Sequence, residues 1–163
     1  MKKKEQRRIL LLNGPNLNLL GKRNPDVYGK ETLSDITKKV SLKAKESDYF
    51  IEGWHTNYEG KLIDLIQTAP AKGVKGIILN AGGLTHTSVC LRDAVDFARE
   101  QGVPTIEVHI SNIHIRETFR HVSLLTGVCI RQVSGMGTKG YLEALRELIV
   151  HLELESLNVN NKL

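Results

Sequence analysis

Short apolar runs alternate with longer segments in which apolar residues recur every three or four positions, from Arg8 to Leu154. Arg8–Asn13 (RILLLN) is a continuous apolar run ended by Asn-Gly-Pro, the pattern of a parallel strand buried on both faces. A polar loop extends to Lys30. Thr32 and Asp35 then form a capping-box pair, with Leu33, Ile36, Val40 and Ala44 at helical spacing. Tyr49–Thr56 (YFIEGWHT) alternates in the manner of a partly exposed edge strand. Glu59–Ala71 predicts a second helix, with Leu62, Ile63 and Ile66 on one face, and Val74–Leu79 (VKGIIL) a third strand. Ser88–Gln101 predicts a third helix with Cys90, Ala94, Phe97 and Ala98 inward, stopped at Gly102. Pro104–Val108 is expected as a fourth strand, Arg116–His121 as a short polar helix, and Val128–Ser134 as a fifth strand. Lys139–Leu154 closes the series as a helix carrying Leu142, Leu145, Ile149 and Leu152.

Strands alternating with helices of this length call for a parallel sheet covered on both faces. The expected fold is α/β: a flavodoxin-like three-layer sandwich around a five-stranded parallel sheet in the order 2-1-3-4-5. One domain spans 1–163, with a basic tail over 1–7, a core over 8–154 and a frayed tail over 155–163.

Composition narrows the partners. Net charge is +5, but five of the 23 Lys and Arg residues lie in the first eight positions, which is a solubilising tail. Only 5% of residues are aromatic, and the remaining basic residues are dispersed, so a nucleic-acid surface is not expected. A small anionic substrate fits the charge equally well. No apolar run approaches the roughly 20 residues of a membrane span, and Ile9–Leu12 is too short for a signal core, so a cytoplasmic location is expected. Cys90 and Cys129 sit far apart in apolar surroundings and read as reduced, buried small hydrophobes.

The candidate chemistry centres on Leu11–Tyr28 (LLNGPNLNLLGKRNPDVY), with four asparagines, two glycines and two prolines. A packed core has little use for that mixture, because each buried amide needs partners. It reads as a strand delivering polar groups to a site, followed by a loop that brings Arg23 and Tyr28 over the top. In an open parallel sheet, ligands bind beyond the carboxyl ends of the central strands. Asn13 and Asn16 fall there, as do Asn80, Gly82-Gly83 with Thr85-His86, and His109 with Ser111. Each also has a plainer reading: Asn13 and Asn80 as turn residues, the glycine pair as punctuation, His109 as a satisfied core histidine. His109, His114 and His121 match no zinc spacing, and the glycines of the first loop match no phosphate-loop signature. Tyr28 is a poor base at the ordinary tyrosine pKa of about 10, but Arg23 in the same loop would favour its phenolate.

Together, NGPNLNLLGKRNPDVYG, ILNAGGLTHTSVCLRDA, IEVHISNIHIRETFRH and GMGTKGY closely resemble the type II dehydroquinases, the 3-dehydroquinate dehydratases of the shikimate and quinate pathways. The resemblance covers Leu11 to Leu152. It implies a lyase without cofactor or metal, assembled as a homododecamer of trimers. It implies Tyr28 as the base that removes the C2 proton of 3-dehydroquinate, with Arg23 lowering its pKa. It further implies Asn16 as the enolate-stabilising group, acting through a water, and His109 as the acid that protonates the departing C1 hydroxyl.

Asn80, His86, Asp93 and Arg120, with the amides of Ile110 and Ser111, correspond to substrate contacts. Glu107 is placed to orient His109, Arg116 belongs to the lid network, and Gly82 lets backbone approach the ligand. Leu124, Arg131 and Gln132 depart from the family pattern and are expected to bear on subunit packing without touching the catalytic set. A binding module for a small anion would explain the asparagines and glycines but not an arginine–tyrosine loop facing a histidine. A flavin carrier would want aromatics, and a phospho-acceptor domain would want acidic residues at the strand ends.

Overall fold

The structure is a computed structural model that describes residues 7–22 and 30–160. Its sheet is parallel throughout and ordered β2-β1-β3-β4-β5. The strands are β1 (Arg7–Asn13), β2 (Tyr49–His55), β3 (Val74–Asn80), β4 (Thr105–His109) and β5 (Arg131–Ser134). The helices are α1 (Leu33–Lys45), α2 (Glu59–Thr68), α3 (Val89–Glu100) and α4 (Gly140–Asn160).

The apolar run of β1 is divided between the two faces by the two-residue period of a strand. Leu10 and Leu12 join β3 residues Ile77 and Leu79 under α2 and α3. Ile9 and Leu11 join Ile78, Ile106 and Val108 under α1 and α4. Both faces are thus covered, giving the expected three layers. At the edge, β2 buries Tyr49 and Ile51 and exposes Phe50 and Trp54. The Thr32–Asp35 capping box forms at the start of α1, with Thr32 accepting from the Asp35 amide at 3.2 Å.

Four expectations are corrected. In α3 the inward residues are Leu91, Ala94, Val95 and Ala98, while Cys90 and Phe97 are exposed. The cap explains the phase: the Ser88 hydroxyl accepts from the Leu91 amide at 2.8 Å and turns Leu91, not Cys90, toward the sheet. Cys129 is only partly buried. The polar segment after β4 forms two single 3-10 turns, Ile113–Ile115 and Thr118–Arg120, instead of one helix. Finally, α4 runs on to Asn160, so the supposed frayed tail is helical over most of its length. No Gly or Pro interrupts it, and a His151–Glu155 contact of 3.2 Å spans one turn of the extension.

Candidate active site

Asn13 and Asn80 are register partners at the ends of β1 and β3, and His109 closes β4 beside them. The two loops that follow β1 and β3 interlock. The Gly14 amide donates to the Asn80 carbonyl at 2.8 Å, and a Cβ on Gly14 would lie 2.5 Å from the Ala81 carbonyl oxygen. Across from it, Gly82 adopts φ +59° against Pro15, a conformation that side chains disfavour. This close approach walls a crevice of about 410 Å³, within the range that encloses a small organic molecule. Asn16, Asn80, Gly82, His86, His109, Ile110, Ser111, Arg116 and Arg120 line it, and Leu17, Leu19, Leu20 and Ile113 supply an apolar side. Asn16 is itself left-handed, at φ 69°, and its amide donates to the Asn57 side chain at 2.9 Å.

Behind His109 lies Glu107, with no exposed surface. Its Oε1 is 2.7 Å from His109 Nε2, Ser123 Oγ lies 2.7 and 2.9 Å from its two oxygens, and Gln132 Nε2 donates to Oε2 at 2.8 Å. The buried Thr85 hydroxyl donates to Oε1 as well. Burial pushes the Glu107 carboxyl up, but the hydrogen bond and charge of His109, with the Thr85 and Gln132 donors, outweigh it and hold the group below the ordinary carboxyl range. An ionised carboxylate only accepts, so His109 carries its proton on Nε2. Among the described residues Nδ1 has no partner, and it is the nitrogen left for a ligand. To give a proton to a ligand from Nδ1, the ring must carry a proton on both nitrogens.

His86 stacks on His109, with ring centroids 6.4 Å apart. Its Nδ1 donates to the Val122 carbonyl at 2.7 Å, so Nε2 is the nitrogen it can offer the crevice. The Ile110 and Ser111 carbonyls are taken up by the Gly137 amide at 3.0 Å and the Ser134 hydroxyl at 3.2 Å. What this turn offers an anion is therefore its amide N–H groups. Arg116 and Arg120 stand on the rim, where Glu117 lies 3.5 Å from one and 3.1 Å from the other.

The family model for dehydroquinase class II matches residues 7–149. The chain belongs to the class II dehydroquinase family. It is 49% identical over 137 residues, 84% of this chain and 92% of the other, to a "3-dehydroquinate dehydratase" of Janthinobacterium sp. (strain Marseille). It is 44% identical to a "catabolic 3-dehydroquinase" of Podospora anserina, over 91% of this chain and 98% of the other. The crystal structure of the type II dehydroquinase from Butyrivibrio crossotus superposes with a TM-score of 0.83 at 40% identity, covering 88% of this chain and 97% of that one.

Against this dehydroquinase framework, the structure brings nine of the sequence-predicted residues to the crevice wall, with Glu107 directly behind it. Asp93 is elsewhere: it is exposed on α3 and does not line the crevice of its own chain. Arg23 and Tyr28 lie outside the described residues. Gln132, expected to stand clear of the catalytic set, touches Glu107. Arg131 does face away, pairing with Glu147 on the surface. Sequence reasoning missed Ser123 and Gln132 as donors to Glu107, and Asn57 as the anchor of Asn16. It also left Tyr141 without a role, although the GMGTKGY motif pointed to it. Among the described residues no group of three or more His, Cys, Asp or Glu is placed to hold a metal ion.

Proposed function

We propose that this dehydroquinase is a 3-dehydroquinate dehydratase, a hydro-lyase that removes water from 3-dehydroquinate to give 3-dehydroshikimate through an enolate. The observation that carries the reading is the crevice itself: a proton-bearing His109 backed by a buried carboxylate, facing amides and arginines suited to an anionic polyol. Tyr28, as phenolate beside Arg23, takes the C2 proton, and the electron pair moves to the C3 oxygen. Asn16, through a water, donates to that enolate oxygen. Collapse of the enolate expels the C1 hydroxyl, which takes a proton from His109 and leaves as water. Asn80, His86 and Arg120 hold ring hydroxyls and carboxylate, and the amides of Ile110 and Ser111 bind the carboxylate. Arg116 steadies the loop that carries the base.

Asp93 reaches a ligand only if another copy of the chain presents it, which accords with a homo-oligomer, a dodecamer built from trimers. The outward face of α3 supports this, since Val89, Cys90 and Phe97 are exposed there around Asp93. Among the described residues no helix is long and apolar enough to cross a membrane, and the reading places the enzyme in the cytoplasm. Supplying 3-dehydroquinate and following the ultraviolet absorbance of the conjugated enone tests the function. Folded protein that gives no signal overturns the reading. Tyr28→Phe is expected to bind substrate and lose nearly all turnover, and wild-type turnover in that variant would remove Tyr28 as the base.

A further inference from the structure

Three buried side chains, Asn13 and Tyr141 beneath the crevice and Asn80 in its wall, form a hydrogen-bonded relay between two backbone groups. Asn13 Nδ2 donates to the Trp54 carbonyl at 3.3 Å, and the Tyr141 hydroxyl donates to Asn13 Oδ1 at 2.8 Å. Asn80 Nδ2 donates to the Tyr141 oxygen at 2.8 Å, and the Gly82 amide donates to Asn80 Oδ1 at 3.2 Å. The relay crosses from β2 through β1, α4 and β3 to the loop that lines the crevice. Asn13 is 1% exposed, Tyr141 0% and Asn80 3%, so water does not substitute for any link.

The polarity of the relay is fixed from both ends. A carbonyl only accepts, so Trp54 obliges Asn13 to present its nitrogen there and its oxygen to Tyr141. The one phenol proton is then spent on Asn13, and only the lone pair remains for Asn80. A backbone amide only donates, so Gly82 obliges Asn80 to present its oxygen on that side. Both ends demand the same orientation of Asn80, and Tyr141 is the group that transmits the demand. Burial pushes the Tyr141 phenol far above its ordinary range, so it keeps its proton under all working conditions.

We infer that Tyr141 is a positioning residue for the reaction: it locks the side-chain amide of Asn80 in one of its two flip states and so sets which hydrogen-bonding atoms Asn80 turns to the substrate. With one Nδ2 hydrogen committed to Tyr141, the other remains for the crevice. Asn80 is then a fixed donor to a substrate oxygen. Without Tyr141 only the longer bond from the Gly82 amide, at 3.2 Å, holds the orientation, and an amide that flips offers an acceptor where the ligand also accepts. The inference rests on the dehydratase reading for its functional consequence, but the locking can be observed without substrate.

Tyr141→Phe keeps the ring and removes the hydroxyl. It is expected to raise KM roughly tenfold, the effect of one hydrogen bond to a ligand, with kcat changed much less. In the ligand-free protein, the Asn80 side-chain amide protons exchange slowly with water in the wild type and faster in Tyr141→Phe, as read by ¹H–¹⁵N spectra. Unchanged KM together with unchanged amide exchange overturns the inference. Should the single variant not fold, Asn80→Ala is compared with Asn80→Ala/Tyr141→Phe, in which only the Asn13 oxygen is left without its partner. The two are expected to share one KM, because Tyr141 acts through Asn80, and a further rise in the double variant overturns the inference. A wild type that folds, shows slow Asn80 exchange and does not turn over 3-dehydroquinate removes the dehydratase reading and leaves the locking intact.

Discussion

A carboxylate with no exposed surface needs donors on both oxygens, and Glu107 draws them from His109, Thr85, Ser123 and Gln132. Because the carboxyl is held below its ordinary value of 4.5, its ionisation contributes stability that is complete above about pH 4.5 and is lost as the pH falls through the lowered value. Glu107→Gln is therefore expected to melt below the wild type at neutral pH, with the gap closing under acid conditions, as thermal melts across pH would show. The same change removes the carboxylate that accepts from His109 Nε2 and orients the ring, and kcat is expected to fall by about 10². The pairing of Glu107 with His109 was legible because two positions along a strand return to the same face. Ser123 and Gln132 were not, since they arrive from 16 and 25 residues away and nothing local announces that a turn and an edge strand meet there.

Helix boundaries show the same division between local and distant causes. The capping box of α1 is a four-residue signal, and Thr32 and Asp35 stand where it predicts. Thr32→Ala is expected to cost about 1 kcal/mol in urea unfolding, without effect on KM. In α3 the apolar spacing admitted two phases one residue apart, and the Ser88 cap chose between them. The length of α4 was underestimated because its last turns lack a buried face: Leu154 and Leu157 are more than half exposed. Those turns add little to the fold. A chain ending at Leu154 keeps the contact of Glu153 with Arg7 at 2.6 Å, and is expected to match the full chain in stability within about 0.5 kcal/mol by chemical denaturation.

The order of the strands, the two covered faces and the position of the crevice all followed from alternation and strand count, because a parallel sheet leaves few topologies open. What one chain's sequence does not reveal is how copies meet. Asp93 makes the point, since it belongs among the substrate contacts by resemblance yet stands outside its own crevice. If a neighbouring copy presents it, two differently damaged proteins should repair one another. Tyr28→Phe and Asp93→Ala, each weakened alone, are expected to regain part of the wild-type turnover when co-assembled, because some crevices then receive both intact residues. Light scattering on the mixture checks that the assembly is the same size as the wild type.

At Asn16 the backbone turn and, in the proposed mechanism, the chemistry are vested in one residue. A left-handed φ of 69° is open to few side chains besides asparagine, aspartate and glycine. Aspartate would set a negative charge against an enolate, and glycine would keep the turn with nothing to donate. The backbone thus narrows the palette at this position to three residues, and the proposed chemistry leaves asparagine alone. That makes Asn16→Gly the informative experiment: it preserves the path of the chain and silences the side chain, so geometry and chemistry can be judged apart.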